Sequence, residues 1–400
     1  MGLNNGQSSA LYNVMQAWQG GQGRYFLSGP PGSGKTFTTG DIVRAIHEAG
    51  ADIAFVASTN AAMLNAQNRA IDDKWITLVS YWGTAHRLLG LRYDPKQDAT
   101  FQTSHGIAHR FDVVIVDESS PLHVPIVNML LDKCRFVLFV GDQDQLTPVG
   151  ENISSAFYSN GSTLTEIVRQ DDKAMLAAIM EARTAVRRKN FDEFDYSLLD
   201  SFAIDDLIGW QNQLTGAPDE MALCFTNDES LRLNRIVRAR MGYAEEYCVD
   251  DRIIFTAPLY RRGKRGAYEL VYPTNAIVTV RAAEQLRYKG FPLWSLTVEG
   301  KIGQPGENEI AVYDTTNLSW IQFLHEVTPE ELWPHVAETR HAYALTTHRA
   351  MGGEWPTVHV QMRDFSRCWD DRTKTRLLYV ALSRAREKLN VLMWPGKRRS

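Results

Sequence analysis

The sequence predicts an α/β protein with two parallel-sheet domains, a small insertion in the first and a β-rich insertion in the second. Three observations carry this reading. At about 150 residues per domain, 400 residues make two to three domains. Two sets of short, continuously apolar runs are spaced by helical or loop segments, as strands buried on both faces of a parallel sheet are. Within the second set the pattern changes to alternating strands rich in turn residues.

In chain order, Arg24 to Ser28 is an apolar run that enters a glycine-rich turn, and residues 36–49 follow with helical spacing at Ile42, Val43 and Ile46, ending at Gly50. Further strands are expected at 53–57, 76–80, 112–116 and 136–140, which makes the first 165 residues one α/β unit. The second set lies at 221–226, 342–346, 357–361 and 389–394, with a helix at 375–385. The β-rich segment, 247–334, holds strands at 276–280, 293–298 and 309–313 and the basic run Arg261-Arg262-Gly263-Lys264-Arg265, read as solvated charge. Residues 92–110 form a polar insertion in the first unit.

Composition narrows the class. Forty-three Lys and Arg against 47 Asp and Glu give a net charge of −4, with 44% apolar residues, which excludes a disordered or polybasic chain but not a local basic groove. The four cysteines form no CxxC pair, which argues against a zinc site or disulfide framework and for a reducing compartment. No apolar run approaches the roughly 18 residues of a membrane span, and no basic-then-apolar leader opens the chain, so the expectation is a soluble, cytoplasmic protein.

The chemistry starts at Gly29-Pro30-Pro31-Gly32-Ser33-Gly34-Lys35-Thr36, a GxxxxGK[ST] loop between a strand and a helix. In such a loop glycines, Gly32 and Gly34 among them, let backbone N–H groups wrap a phosphate, Lys35 reaches the β and γ phosphates, and Thr36 ligates Mg²⁺. Asp117-Glu118 closes the run Val113-Val114-Ile115-Val116 and so stands at a C-terminal strand edge, where ligands of α/β sheets bind. Asp117 is the expected Mg²⁺ ligand and Glu118 the residue that orients and deprotonates water. These two sites indicate an NTPase without its purpose.

Read in order, further segments resemble superfamily 1 helicases, specifically the 1B branch of RecD-like and phage Dda-type enzymes. Leu3-Asn4-Asn5-Gly6-Gln7 resembles the Q motif, Val56-Ala57-Ser58-Thr59-Asn60-Ala61-Ala62 motif Ia and Thr84-Ala85-His86-Arg87-Leu88-Leu89-Gly90 motif Ib. Gly141-Asp142-Gln143-Asp144-Gln145-Leu146 resembles motif III, and Leu164-Thr165-Glu166-Ile167-Val168-Arg169-Gln170 motif IV. Motif V is matched by Thr346 to Glu354, with Arg349 and Met351 where Lys and Gln are usual, and motif VI by Tyr379-Val380-Ala381-Leu382-Ser383-Arg384-Ala385. Thr147 replaces the usual proline after motif III.

The resemblance implies two RecA-like domains: 1A at 1–91 and 111–165, with a pin insertion 1B at 92–110; and 2A at 166–246 and 335–400, with an SH3-like domain 2B at 247–334. It implies that Gln7 reads adenine, that Gln145 senses the γ-phosphate, and that Arg169 and Arg384 act as arginine fingers. Thr59, Asn60, His86, Thr346 and His348 would line the single-strand track, with Tyr81, Trp82 and Trp355 adjacent and Phe101 or His105 near the pin tip. The implied activity is ATP- and Mg²⁺-dependent 5′→3′ unwinding. Its partners would be single-stranded and tailed duplex DNA together with single-strand-binding or replication proteins, the enzyme acting as a monomer in bacterial or phage-infected cytoplasm without a membrane. The competing expectation is an ATP-driven remodeller that displaces proteins from nucleic acid without processive unwinding.

Overall fold

The computed structural model describes residues 2–94, 99–102, 106–146, 160–167, 172–262, 268–288, 291–300, 306–313 and 336–394. The chain forms two compact units, residues 1–194 with 371–383, and residues 195–370 with 384–400.

The first unit is built on a six-stranded parallel sheet. Its elements are α1 (Asn5–Gln19), β1 (Arg24–Ser28), α2 (Lys35–Glu48), β2 (Ile53–Ala57), α3 (Asn60–Asp72), β3 (Tyr81–Thr84), α4 (Ala85–Leu88), β4 (Leu91–Asp94), β5 (Ala99–Gln102), β6 (Val113–Asp117), α5 (Val124–Lys133), β7 (Val137–Gly141), β8 (Gly161–Thr163) and α6 (Lys173–Arg188). The strand order is β3-β2-β6-β7-β1-β8, every pair parallel. Period-two alternation splits the apolar strands between two cores. Leu27, Phe55, Ile115 and Leu138 face one, and Phe26, Val56, Val114 and Phe139 the other. The helix Asp371–Leu382 groups with this unit and packs beside α6. Charge explains the grouping: α6 carries Arg183 and Arg187, which pair with Asp142 and Asp144 after β7.

One expected strand is corrected. Residues 76–80 begin as a 3-10 turn (Ile76–Leu78), and the sheet strand follows at Tyr81–Thr84. Its apolar side chains cap Trp75, fully buried against Phe55 and Trp82 with ring centroids 5.6 Å away, rather than alternating across a sheet. Trp82 stacks on Phe55 at 4.8 Å, so this aromatic is core.

The small insertion is an antiparallel hairpin of β4 and β5, paired Leu91↔Gln102, Arg92↔Phe101, Tyr93↔Thr100 and Asp94↔Ala99. Phe101 pairs with Arg92, two pairs back from the last described pair, Asp94↔Ala99, which corrects the expectation of Phe101 near the tip; residues 95–98 and His105 lie outside the described residues. The chain leaves the hairpin through Gly106 at φ +69, where a Cβ would lie 2.7–2.8 Å from the Leu88 and Leu89 backbone, so only glycine fits.

The second unit holds a parallel sheet and a mostly antiparallel one. Its elements are β9 (Ala203–Ile204), α7 (Leu207–Asn212), β10 (Glu220–Cys224), α8 (Asn227–Arg240), β11 (Arg252–Phe255), β12 (Leu259–Arg262), β13 (Tyr268–Tyr272), β14 (Ile277–Tyr288), β15 (Phe291–Glu299), β16 (Glu307–Tyr313), β17 (Val336–Ala337), β18 (Thr339–His341), β19 (Ala344–Thr346), β20 (Trp355–Val360) and β21 (Ala385–Leu392). The parallel sheet runs β19-β10-β20-β21-β9. The β-rich sheet runs β17-β16-β15-β14-β11-β18 around a core of Phe255, Tyr272, Trp294, Leu296 and Val312. Arg252 fastens the two sheets, donating to the Pro218 and Glu220 carbonyls and lying 4.8 Å over the Tyr343 ring. Beside it, the buried Asp251 accepts from Arg238 Nε at 2.9 Å and from the Tyr343 hydroxyl at 2.9 Å.

Replacing Trp75 removes the plug between α2, α3 and the sheet edge. We expect Trp75→Ala to lower unfolding free energy by about 3–5 kcal/mol, read by denaturant titration with the slope unchanged.

Candidate active site and nucleic-acid edge

The chemistry of the first unit gathers at one edge of its sheet, because parallel strands all end on the same side. The phosphate loop follows β1, Asp117-Glu118 closes β6, Asp142 follows β7, and Thr59 and His86 follow β2 and β3. Pairing Ser28↔Gly141 and Ala57↔Asp117 fixes the register of these strand ends.

In the loop, Gly32 (φ +79) and Gly34 (φ +80) adopt the left-handed backbone that turns successive N–H groups inward, and Gly34 is the N-cap of α2. A Cβ at Gly29 would meet Ser33 Oγ at 2.5 Å. Lys35 Nζ donates to the Gly29 and Pro30 carbonyls at 2.7 and 3.0 Å. Burial pushes its ammonium below the ordinary lysine value, while Asp142, Glu118 and Asp117 pull the other way. Ser28 and Ser33 hydroxyls are buried with no partner in the chain, as a cradle for a polar group requires.

Asp117 is pushed up to about 6, first by burial and then by Glu118 beside it, with Lys35 and Arg69 opposing. A desolvated carboxylate with a second carboxylate beside it suits a hard cation. Thr36, the second expected metal ligand, accepts from Arg69 at 3.0 Å through its hydroxyl. Glu118 holds φ +46, a strained setting for a non-glycine residue. The two serines after it tie this turn to β7: Ser119 Oγ donates to Val140 O at 3.0 Å, Ser120 Oγ donates to Asp142 O at 2.8 Å, and Asp142 N donates back to Ser120 Oγ at 3.2 Å.

Beyond β7 lies a buried ionic cluster that the sequence reading did not assign. Asp142 accepts from the Tyr379 hydroxyl at 2.5 Å and from Arg183 at 3.3 Å, and Arg183 Nε also donates to Asp144 at 2.8 Å. Arg187 adds two bonds to Asp144 at 2.9 and 3.1 Å. Burial works against the Arg183 charge, but Asp142, Tyr379 and Asp144 outweigh it and raise its pKa. Asp142 is raised by burial, with Arg183 and Lys35 opposing. The acid–base alternation Asp142, Asp144, Arg183, Arg187 was the available signal, hidden because its halves lie about 40 residues apart.

Gln7 is buried, accepts from Asn4 N at 3.0 Å in a capping box and donates weakly to Ser33 O at 3.4 Å. Gln145 is buried; its N–H donates to Asp142 O at 3.0 Å, and its carbonyl accepts from Arg376 at 3.0 Å. Thr59 caps α3 by accepting from Ala62 N at 3.1 Å, and the Asn60 side chain lies outside the described residues. His86 is held toward its neutral form by burial and by His123. The Phe101 side chain and Arg169 also lie outside the described residues.

In the second unit Thr346 ends β19, buried, and accepts from Arg349 N; His348 follows with its ring 6.3 Å from Phe225 and its pKa lowered by burial. Arg384 is buried at the opposite, N-terminal edge, just before β21, and donates to Gly353 O at 3.2 Å. Among the described residues no cluster of three His, Cys, Asp or Glu side chains could hold a metal, and no helix is long and apolar enough to cross a membrane.

Residues 2–196 match a family described as an AAA domain, and residues 341–392 match the UvrD-like helicase C-terminal domain. The chain is 25% identical to the ATP-dependent DNA helicase dda of Enterobacteria phage T4 over 337 residues, 74% of each. It is 31% identical over 148 residues to the RecD subunit of the RecBCD enzyme of Mycolicibacterium smegmatis, covering 32% of this chain and 26% of that one. Among solved structures, Bacteroides Pif1 bound to single-stranded DNA aligns with a TM-score of 0.59 at 18% identity over 99% of this chain and 93% of that one, a likeness of fold. Motif order, sheet topology and these relatives agree in one respect: the chain resembles the superfamily 1B helicases of the RecD-like and Dda type.

Proposed function

We propose that this protein is an ATP-dependent 5′→3′ DNA helicase that translocates on single-stranded DNA and unwinds duplex. The observation that carries the reading is the shared sheet edge: the phosphate loop, the Asp117-Glu118 pair and two candidate track residues, Thr59 and His86, stand on neighbouring strand ends of one rigid sheet. The dda relative is named an ATP-dependent DNA helicase, one Pif1 neighbour is described as bound to single-stranded DNA, and another is described as a basis for DNA unwinding at forked duplex.

Lys35 and the loop N–H groups hold the β and γ phosphates, and the N-terminus of α2 adds its positive dipole. Thr36 and Asp117 hold Mg²⁺, which supplies neutralisation of the phosphate charge when bound. Glu118, on its strained turn, aims a carboxylate at the attacking water and takes its proton. Roles for Arg169 and Arg384 as transition-state arginines, and for Gln7 at the base, rest on motif position; such an arginine contributes about 10³ to 10⁵ in rate. Thr59, Asn60, His86, Thr346 and His348 grip the strand. The β4–β5 hairpin is the pin, and the sheet of β11 and β14–β18 is the SH3-like 2B domain.

Lys35→Ala should cut single-strand-stimulated ATP turnover by at least about 100-fold while DNA binding persists, since one preorganised donor to developing charge is lost. With wild-type protein, duplex carrying a 5′ tail should be unwound and duplex carrying a 3′ tail left intact; equal unwinding of both, or displacement of streptavidin alone, would overturn the reading. Gly106→Ala should depress unwinding several-fold more than turnover, because the added methyl collides with the Leu88–Leu89 backbone at the hairpin root.

A further inference from the structure

We infer that Tyr379 is a positioning residue for ATP turnover, acting through Asp142 on the phosphate loop and the Glu118 turn; this rests on the ATPase reading above. Asp142 leaves β7 beside the loop, where Gly29 N donates to Gly141 O at 3.2 Å. Its carboxylate is fully buried, and its backbone exchanges bonds with Ser120 Oγ, two residues after Glu118. One carboxylate oxygen takes the Tyr379 hydroxyl at 2.5 Å; the other takes Arg183 at 3.3 Å and Asp144 N at 3.1 Å. Both oxygens are thus occupied by groups outside the loop, while Lys35 donates to the Gly29 and Pro30 carbonyls.

Removing the hydroxyl changes that balance. A buried carboxylate with one oxygen unpartnered is costly, so Asp142 shifts to find another donor. Gly141, which accepts from Gly29 N, and Ser120, which bonds the Asp142 backbone, shift with it, and they hold the loop and the Glu118 turn where donors must be in place as negative charge grows on the phosphate. Tyr379 has a second quality that suits it to the task. It is fully buried on the Asp371–Leu382 helix, which also reaches the same loop through Arg376 to Gln145 O at 3.0 Å, and Arg384 stands five residues further along the chain. The position of this helix is therefore reported directly to the residue that leaves β7 beside the phosphate loop.

The test is steady-state ATP turnover with saturating single-stranded DNA for wild type, Lys35→Ala, Tyr379→Phe, Asp142→Asn and the Tyr379→Phe/Asp142→Asn double variant, with thermal melting alongside. Tyr379→Phe keeps the buried ring and should lower kcat about tenfold while moving the KM for ATP less than about threefold, as loss of one bond to a charged group predicts. The double variant should turn over no more slowly than Asp142→Asn alone, because both changes act through one bond. Wild-type kcat in Tyr379→Phe, losses that multiply in the double variant, or a lowered melting temperature with kcat intact would overturn the assignment while leaving the ATPase reading in place. Wild-type protein without DNA-stimulated turnover, or turnover surviving in Lys35→Ala, would instead overturn the ATPase reading itself.

Discussion

The constraint behind the first unit is that charges needed for phosphate chemistry are buried together at a sheet edge and must neutralise one another. Asp142, Asp144 and Arg183 are each no more than 5% exposed. An isolated ion in such a setting costs several kcal/mol, and breaking a buried pair by deleting one partner costs about 3–5 kcal/mol. The cluster survives because each carboxylate has donors: Arg183 reaches both, Arg187 adds two bonds to the Asp144 oxygen that Arg183 also uses, and Tyr379 donates to the Asp142 oxygen that Arg183 leaves. Lysine in place of Arg183 would keep the charge and lose the fork. The grouping of α6 and the Asp371–Leu382 helix with the first unit follows from this electrostatic demand.

Strain and support at Glu118 belong to the same edge. A residue at φ +46 stays there when its neighbours over-determine it, and here the following Ser119 and Ser120 are both bonded to the end of β7. Gly141 permits the approach, since a Cβ would lie 2.9 Å from Ser119 Oγ. The carboxylate proposed to activate water is therefore aimed by the strand that also carries Asp142. Changes in the ionic cluster and changes at Glu118 share one scaffold, two serines long.

The sequence made the strands and loops legible and the long-range pairings opaque. The runs at 24–28 and 53–57 were recognisable to the residue because a continuous apolar strand in a parallel sheet has no solvent face to blur it. The run at 76–80 misled because Ile76 and Leu78 are apolar for another reason, covering Trp75 at the margin of the core. The phosphate loop and Asp117-Glu118 were visible since their residues are local and their spacing is dictated by a phosphate. Arg183 and Tyr379 were not, because each meets Asp142 across a sequence gap of 41 and 237 residues. Nothing in a helix pattern says which buried arginine or tyrosine finds a distant carboxylate. The hairpin insertion was legible as an insertion, but its register, and so the place of Phe101, depended on pairing that turn residues alone do not fix.

Gln7 shows how the same economy of partners reaches the other side of the loop. Its Oε1 accepts from Asn4 N while Asn4 Oδ1 accepts from Gln7 N, so the side chain closes the capping box of α1; its Nε2 faces Ser33 O. Asn4 in turn donates to Glu166 at 2.9 Å, beyond β8. A base that takes the Gln7 amide as its partner therefore competes with a helix cap worth about 1 kcal/mol and with a contact to the loop itself. If Gln7 reads the base as proposed, base recognition and the conformation of the phosphate loop become one equilibrium, coupled through the first turn of the N-terminal helix.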